Sequence, residues 1–152
     1  MKLQKATEFA LYAVLELAVD PSRQLTAVEI AEKYGISAHH LAKVLRDLGR
    51  AGLVDAVRGV GGGYRFAGNA KRLTLMDVIR LFEDISADTT EPPPPAAGED
   101  IAKGLSFVLA ELDSQTAATL RSISLSTMLK LIARRPWAAD GEPGPARRAA
   151  RR

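Results

Sequence analysis

The segment Arg58-Gly59-Val60-Gly61-Gly62-Gly63-Tyr64-Arg65 restricts the fold more than any other stretch of this chain. Its four glycines lie between two short apolar runs, Leu53 to Val57 and Tyr64 to Ala67, which read as paired strands. A glycine-rich tip between strands signals a hairpin, because glycine takes positive φ without the steric cost of a Cβ. Arg58 at the base and Arg65 on the return strand make that hairpin cationic. Just upstream lie two helical patterns separated by a tight turn. Helix, turn, helix, basic hairpin is the order of a winged helix-turn-helix.

The two helices carry their own start and stop signals. Thr26-Ala27-Val28-Glu29 matches a capping box and opens a short helix through Ile30, Ala31 and Tyr34. Gly35 is placed to close it, and Ser37 caps the next helix, which runs to about Ala51. In that second helix Leu41, Val44, Leu45 and Leu48 fall at i, i+3, i+4 and i+7 and form a buried stripe. His39, Lys43, Arg46 and Arg50 lie close to the opposite side at about 3.6 residues per turn. One face is apolar and the other nearly all cationic. An Arg/Lys-rich solvated face is the ordinary alternative, and the cationic hairpin that follows tips the balance toward a nucleic-acid contact.

Charge distribution supports the same reading. The whole chain of 152 residues is only mildly basic, with net charge +3. From Lys33 to Arg72, eight Lys/Arg stand against two acids, Asp47 and Asp55, so this segment carries +6 and the remainder is net acidic. A local basic field is what phosphate binding requires.

The flanking segments complete a mainly α chain with one small hairpin. Leu3 to Val19 reads as a helix with apolar residues on two faces, which calls for two packing partners. Leu73 to Phe82 reads as another capped helix, with Thr74 and Asp77 at its start and Leu75, Val78, Ile79 and Phe82 facing inward. Pro92 to Pro95 cannot be helix or central strand and mark a loop or linker. From about Asp100 a long helix begins. Its apolar residues Ile101, Leu105, Val108, Leu112, Leu120 and Ile123 recur at threes and fours, with weak spots at Gln115 and Thr116. A stripe of that length asks for a partner helix, expected to be that of a second copy of the chain; packing back on the chain's own first helix is the alternative. Ser124 caps a short last helix through Leu125, Met128, Leu129 and Ile132. The expected organisation is a winged helix-turn-helix domain over 1–86, a Pro-rich loop over 87–99, a dimerisation helix and short final helix over 100–135, and a disordered basic tail over 136–152.

Composition excludes several chemistries. There are no cysteines, so thiolate catalysis, disulfides, zinc fingers and Cys-ligated iron–sulfur clusters are ruled out, and no cofactor is expected. No apolar run approaches the ~20 residues of a membrane span, and acidic Glu8 and Glu16 interrupt the N-terminal apolar segment. A cytoplasmic protein with no membrane association is expected. An enzyme is not. Tyr64 stands where a dinucleotide fingerprint needs its third glycine, and a strand rather than a helix follows. The only two histidines, His39 and His40, are adjacent and point about 100° apart on a helix, so they cannot chelate one metal. A protein-interaction or scaffold module that uses the long stripe without specific DNA binding is the alternative function.

The chain resembles the Rrf2 family of bacterial transcriptional regulators over nearly all of residues 1–135. The resemblance rests on Met1-Lys2-Leu3 with Phe9-Ala10-Leu11-Tyr12-Ala13, on Ile30-Ala31-Glu32 and Gly35-Ile36-Ser37, and on Leu53-Val54 leading to the Arg58 to Tyr64 wing. Asp77-Val78-Ile79 and Ile123-Ser124-Leu125 also fit. It implies a winged-helix head, a long C-terminal dimerisation helix, a recognition helix starting at Ser37, and a wing whose Arg58 enters the minor groove. Many members of that family hold an iron–sulfur cluster through three cysteines in the loop before the long helix. The corresponding positions here fall near Glu91, Ala97 and Lys103, and Glu8 stands where some relatives place a carboxylate ligand. The chain therefore resembles the cluster-free branch, whose members respond to small molecules or a partner protein.

As a reader of double-stranded DNA, the chain is expected to be a homodimer on a roughly palindromic operator, with half-sites about one turn or a small multiple apart. Ser37, His39, His40 and Lys43 reach base edges; Arg46 and Arg50 grip phosphate. Gly61, Gly62 and Gly63 let the hairpin backbone approach the sugar–phosphate wall. Arg65 adds charge, and Tyr64 either packs under the wing or bonds a phosphate.

Overall fold

The computed structural model describes residues 1–85 and 98–137. Residues 87–97 of the expected Pro-rich loop, with Glu91 and Ala97, and 138–152 of the expected basic tail fall outside these; Gly98 and Glu99 belong to the start of the long helix instead. The elements are α1 (Lys5–Val19), α2 (Ala27–Tyr34), α3 (Ala38–Arg50), β1 (Val54–Val57), β2 (Gly63–Phe66), α4 (Leu75–Ile79), α5 (Glu99–Ser122) and α6 (Leu125–Arg134). This is the mainly helical chain with one antiparallel hairpin that the residue pattern implied.

The caps form as their residues dictate. Thr26 Oγ1 accepts from the Glu29 N–H at 3.1 Å while the Glu29 carboxylate accepts from the Thr26 N–H at 2.6 Å. Gly35 ends α2 in the left-handed region at φ 64, a conformation that a Cβ disfavours. Ser37 caps α3, and Thr74 with Asp77 forms a second capping box at α4. Only Leu75–Ile79 is regular helix there; hydrogen-bonded turns carry the chain on to Glu83.

The main core lies where α1 crosses α3. Ala10 and Ala13 of α1 are fully buried, and their small side chains let Leu41, Leu45 and Leu48 approach closely. Ile30 and Ala31 of α2, Val54 and Phe66 of the hairpin, Val78 and Leu125 close the cluster. A polar clasp holds α2 to α1: the Glu16 carboxylate accepts from Lys33 Nζ at 2.7 Å and from the Tyr34 hydroxyl at 2.5 Å, and Tyr34 stacks on Tyr12 with ring centroids 5.1 Å apart. Burial pushes the Glu16 carboxyl up, but those hydrogen bonds and the Lys33 charge outweigh it and hold the group below its ordinary value. The Tyr34 hydroxyl is held well above its ordinary value by burial and by its bond to Glu16. Gln4 offers α1 no side-chain cap. Glu83 supplies one from a distance, accepting from the Gln4 N–H at 2.7 Å and from Thr7, the buried polar residue of α1.

The long helix behaves as two helices in one. Its C-terminal end packs on the head: Ala117 and Leu120 form a second cluster with Met76 and Ile79 of α4. Backbone bonds stitch the same junction, Leu75 N–H to the Ile123 carbonyl at 2.9 Å and Leu125 N–H to the Leu73 carbonyl at 2.8 Å. The Leu120 side chain and the Ile123 carbonyl therefore serve their own chain's fold, and Leu120 departs from the uniform dimer stripe expected from spacing. The cause is angular drift. Each four-residue step advances about 40° around the helix, and Val108, Leu112, Thr116 and Leu120 are three such steps in a row. By Leu120 the apolar face has turned away from Ile101, Leu105, Val108 and Leu112 and onto α4. Those four stay exposed at 80, 60, 53 and 53%, against 8% for Leu120.

Candidate nucleic-acid interface

α3 presents the predicted residues as its pattern required. The stripe Leu41, Val44, Leu45 and Leu48 is buried, and Ser37, His39, His40, Lys43, Arg46 and Arg50 are all exposed. The two histidine rings are tilted at 50° with centroids 6.2 Å apart.

The wing follows within four residues of α3 and is anchored on it. The Leu53 N–H donates to the Leu48 carbonyl at 3.0 Å, and β1 packs against α3. Register pairs Val54 with Phe66 on the buried side and Asp55 with Arg65 on the outer side. A second anchor joins residues far apart in the sequence. Leu25, just before the α2 cap, makes a two-way backbone bridge to Tyr64, with N–H to O distances of 2.9 and 2.7 Å. Leu25 stands as a lone apolar residue between Gln24 and Thr26, and that isolation was the available signal.

This bridge redefines two expectations. Tyr64 is half-buried and packed against the core, so its ring lies under the wing rather than free at its edge. A Cβ on Gly63 would lie 2.7 Å from the Leu25 carbonyl oxygen, and one on Gly62 would strike the carbonyls of Val57 and Gly59. These two glycines serve close approaches inside the hairpin, where the sequence reading had them meeting a sugar–phosphate wall.

The cations divide into two groups. Arg65 pairs across the hairpin with Asp55 at 3.8 Å, and Arg50 pairs along α3 with Asp47 at 3.8 Å. Lys43, Arg46 and Arg58 make no ion pair among the described residues and are exposed. Exposed pairs of this kind contribute little to stability, but they lower the field that Arg50 and Arg65 present.

A two-helix turn with a cationic second helix and a cationic hairpin, on a helical core, defines a winged helix-turn-helix DNA-binding protein. Residues 3–131 match the Rrf2 family, described as an iron-dependent transcriptional regulator. The chain is 54% identical over 134 residues to the putative HTH-type transcriptional regulator BadM of Rhodopseudomonas palustris, covering 87% of this chain and 83% of that one. It is similar in structure to CymR (YrzC), the global cysteine regulator of B. subtilis, at TM-score 0.72 and 23% identity over 86% of this chain and 97% of that one. T. potens IscR is similar at TM-score 0.67 and 27% identity, over 86% of this chain and 87% of the other. The chain belongs to the Rrf2 family. It is a transcriptional regulator with a DNA-binding fold, and its relatives are regulators rather than enzymes.

The iron in that family description finds no cysteine donors here. The 152 residues contain no cysteine. Lys103 is a cation paired with Glu99 on α5, and among the described residues no three His, Cys, Asp or Glu side chains gather to hold a metal. Glu8 in the first turn of α1 offers one carboxylate, too little for a cluster. Among the described residues no helix is long and apolar enough to cross a membrane.

Proposed function

We propose that this chain acts in the cytoplasm as a homodimer that binds a roughly palindromic DNA operator and represses transcription there. The supporting observation is one molecule with two unmet demands: unpaired cations on α3 and the wing, and an uncovered apolar stripe on the first four turns of α5. DNA answers the first and a second copy the second. Each α3 enters a major groove, where Ser37, His39, His40 and Lys43 meet base edges and Arg46 and Arg50 hold phosphates. Arg58 enters the adjoining minor groove and favours its narrow A·T form. Ile101, Leu105, Val108 and Leu112 form the seam between protomers. Repression is the direct result of occupancy, since a seated dimer denies the same grooves to other proteins.

The regulator works without a cysteine-ligated cluster. Its signal is a small molecule or a partner protein that changes the relation of the two heads.

The test is selection from a duplex pool with a randomised centre, followed by gel shift on the recovered sequence. Recovery of an inverted repeat, bound by two chains per duplex, is the expected result. Failure to enrich any sequence, with no salt-dependent retention on immobilised duplex DNA, leaves the interaction-module reading instead.

A further inference from the structure

We propose that Val60 is a sequence-reading residue of the wing, pressed onto the floor of the minor groove and rejecting G·C pairs there. The proposal rests on the DNA-reading function above and assigns a role to a residue that the cationic pattern left out. Val57 pairs with Gly63, so residues 58–62 form a five-residue loop with Val60 at its centre. Val60 is the most exposed large apolar side chain of the described residues, at 111% of its reference area. It stands between Gly59 and Gly61, with no neighbouring side chain to shelter it.

The tip that carries it is closed by a turn. The Gly62 N–H donates to the Gly59 carbonyl at 3.0 Å, and the carbonyls of Val57 and Gly59 crowd the space a Gly62 Cβ would need. The turn thus presents Val60 outward from a hairpin held at its base by β1–β2 pairing and by the Leu25–Tyr64 bridge. A β-branched side chain is stiff at χ1, so little freedom is lost when it is wedged. Valine has no donor or acceptor and cannot hold a phosphate. A bare valine at the apex gains nothing in water, where an exposed polar residue would serve as well.

Groove chemistry supplies the use. An A·T pair shows only acceptors on the minor-groove floor, whereas G·C adds the guanine 2-amino donor. A valine seated on that floor covers the amino group and leaves it without a partner. An unsatisfied buried donor costs about tenfold in affinity or more. Arg58, two residues away, draws the tip toward the same narrow A·T groove.

The experiment runs the pool selection in parallel with the parent protein and with Val60→Ala, with circular dichroism confirming that both are folded. The recovered site is then rebuilt with A·T, I·C or G·C at the wing positions. The parent is expected to bind A·T and I·C alike and G·C about tenfold more weakly, since inosine lacks the 2-amino group. Val60→Ala is expected to keep the inverted repeat and the salt slope while its G·C penalty shrinks severalfold. A parent that treats I·C like G·C, or a variant with the full G·C penalty, overturns the role of Val60 and leaves DNA reading intact. A parent that enriches no sequence overturns both.

Discussion

The α3–wing surface and the projecting half of α5 are both exposed, yet they are exposed for opposite reasons. Lys43, Arg46 and Arg58 are comfortable in water, and the head folds around its own core whether or not a polyanion arrives. Ile101, Leu105, Val108 and Leu112 are not, because contiguous apolar surface on a helix is stabilised only when something covers it. A charged face advertises an optional partner and an apolar face a required one. Changes on α3 and the wing should therefore alter affinity at constant fold, whereas changes on α5 should alter assembly itself.

The largest effect is expected from Leu112→Asp, which buries a carboxylate in the seam. Sedimentation should show monomers, and operator affinity should fall by ~10² or more as the two heads lose their mutual tether. A dimer that persists breaks the comparison outright. Arg58→Ala comes next. Operator binding by fluorescence anisotropy should weaken about ten- to a hundredfold with the melting temperature unchanged; a matching loss of stability would mean that the wing is structural. Lys43→Ala should cost ~1–3 kcal/mol and relax preference at one base pair, read from the variant's own selected sequences.

Glu16→Gln probes neither face and serves as the internal control. It should lower unfolding free energy by ~1 kcal/mol at neutral pH and leave DNA affinity alone. The folded-state carboxyl lies below its ordinary value of 4.5, so its stabilisation is present above that pH and fades as pH falls through the lowered value. Denaturant titrations should show parent and variant converging in acid; a gap that stays constant with pH removes the Lys33–Tyr34 clasp as the cause. The smallest effect separates paired from free cations. Arg46→Ala should lower the salt slope of binding by about one, and Arg65→Ala by less, because Asp55 already offsets it. Equal slopes for the two would show that the cross-strand pair opens on DNA.

Much of this was legible in the residues because it is local. The Thr26–Glu29 and Thr74–Asp77 boxes, Gly35, Ser37 and Ser124 act within one turn of themselves, so their spacing alone announces the helices. The exposed side of α3 followed from a period of 3.6 in the same way. What escaped detection depends on residues far apart in the chain. Leu25 and Tyr64 meet across 39 positions, and Glu83 reaches back to Thr7. Asp55 faces Arg65 only once the hairpin register is fixed. Leu120 was placed on the stripe by treating threes and fours as interchangeable, although a run of fours rotates it. Phe107 lies off the stripe and Leu109 at its edge, four residues after Leu105 and three before Leu112, and both are exposed.

One helix that is seated in the head at Ala117 and Leu120 and bare at Ile101 to Leu112 works like an indexed shaft. Single substitutions along its outer turns change how tightly two such shafts grip. Adding or removing one residue between the grip and the seat would instead turn one against the other by about 100°, while insertions of about seven residues restore the setting and change only the reach. Length in this stretch should therefore vary among related regulators in whole double turns, and a regulator with a different operator spacing could arise from such a change without altering any residue that touches DNA.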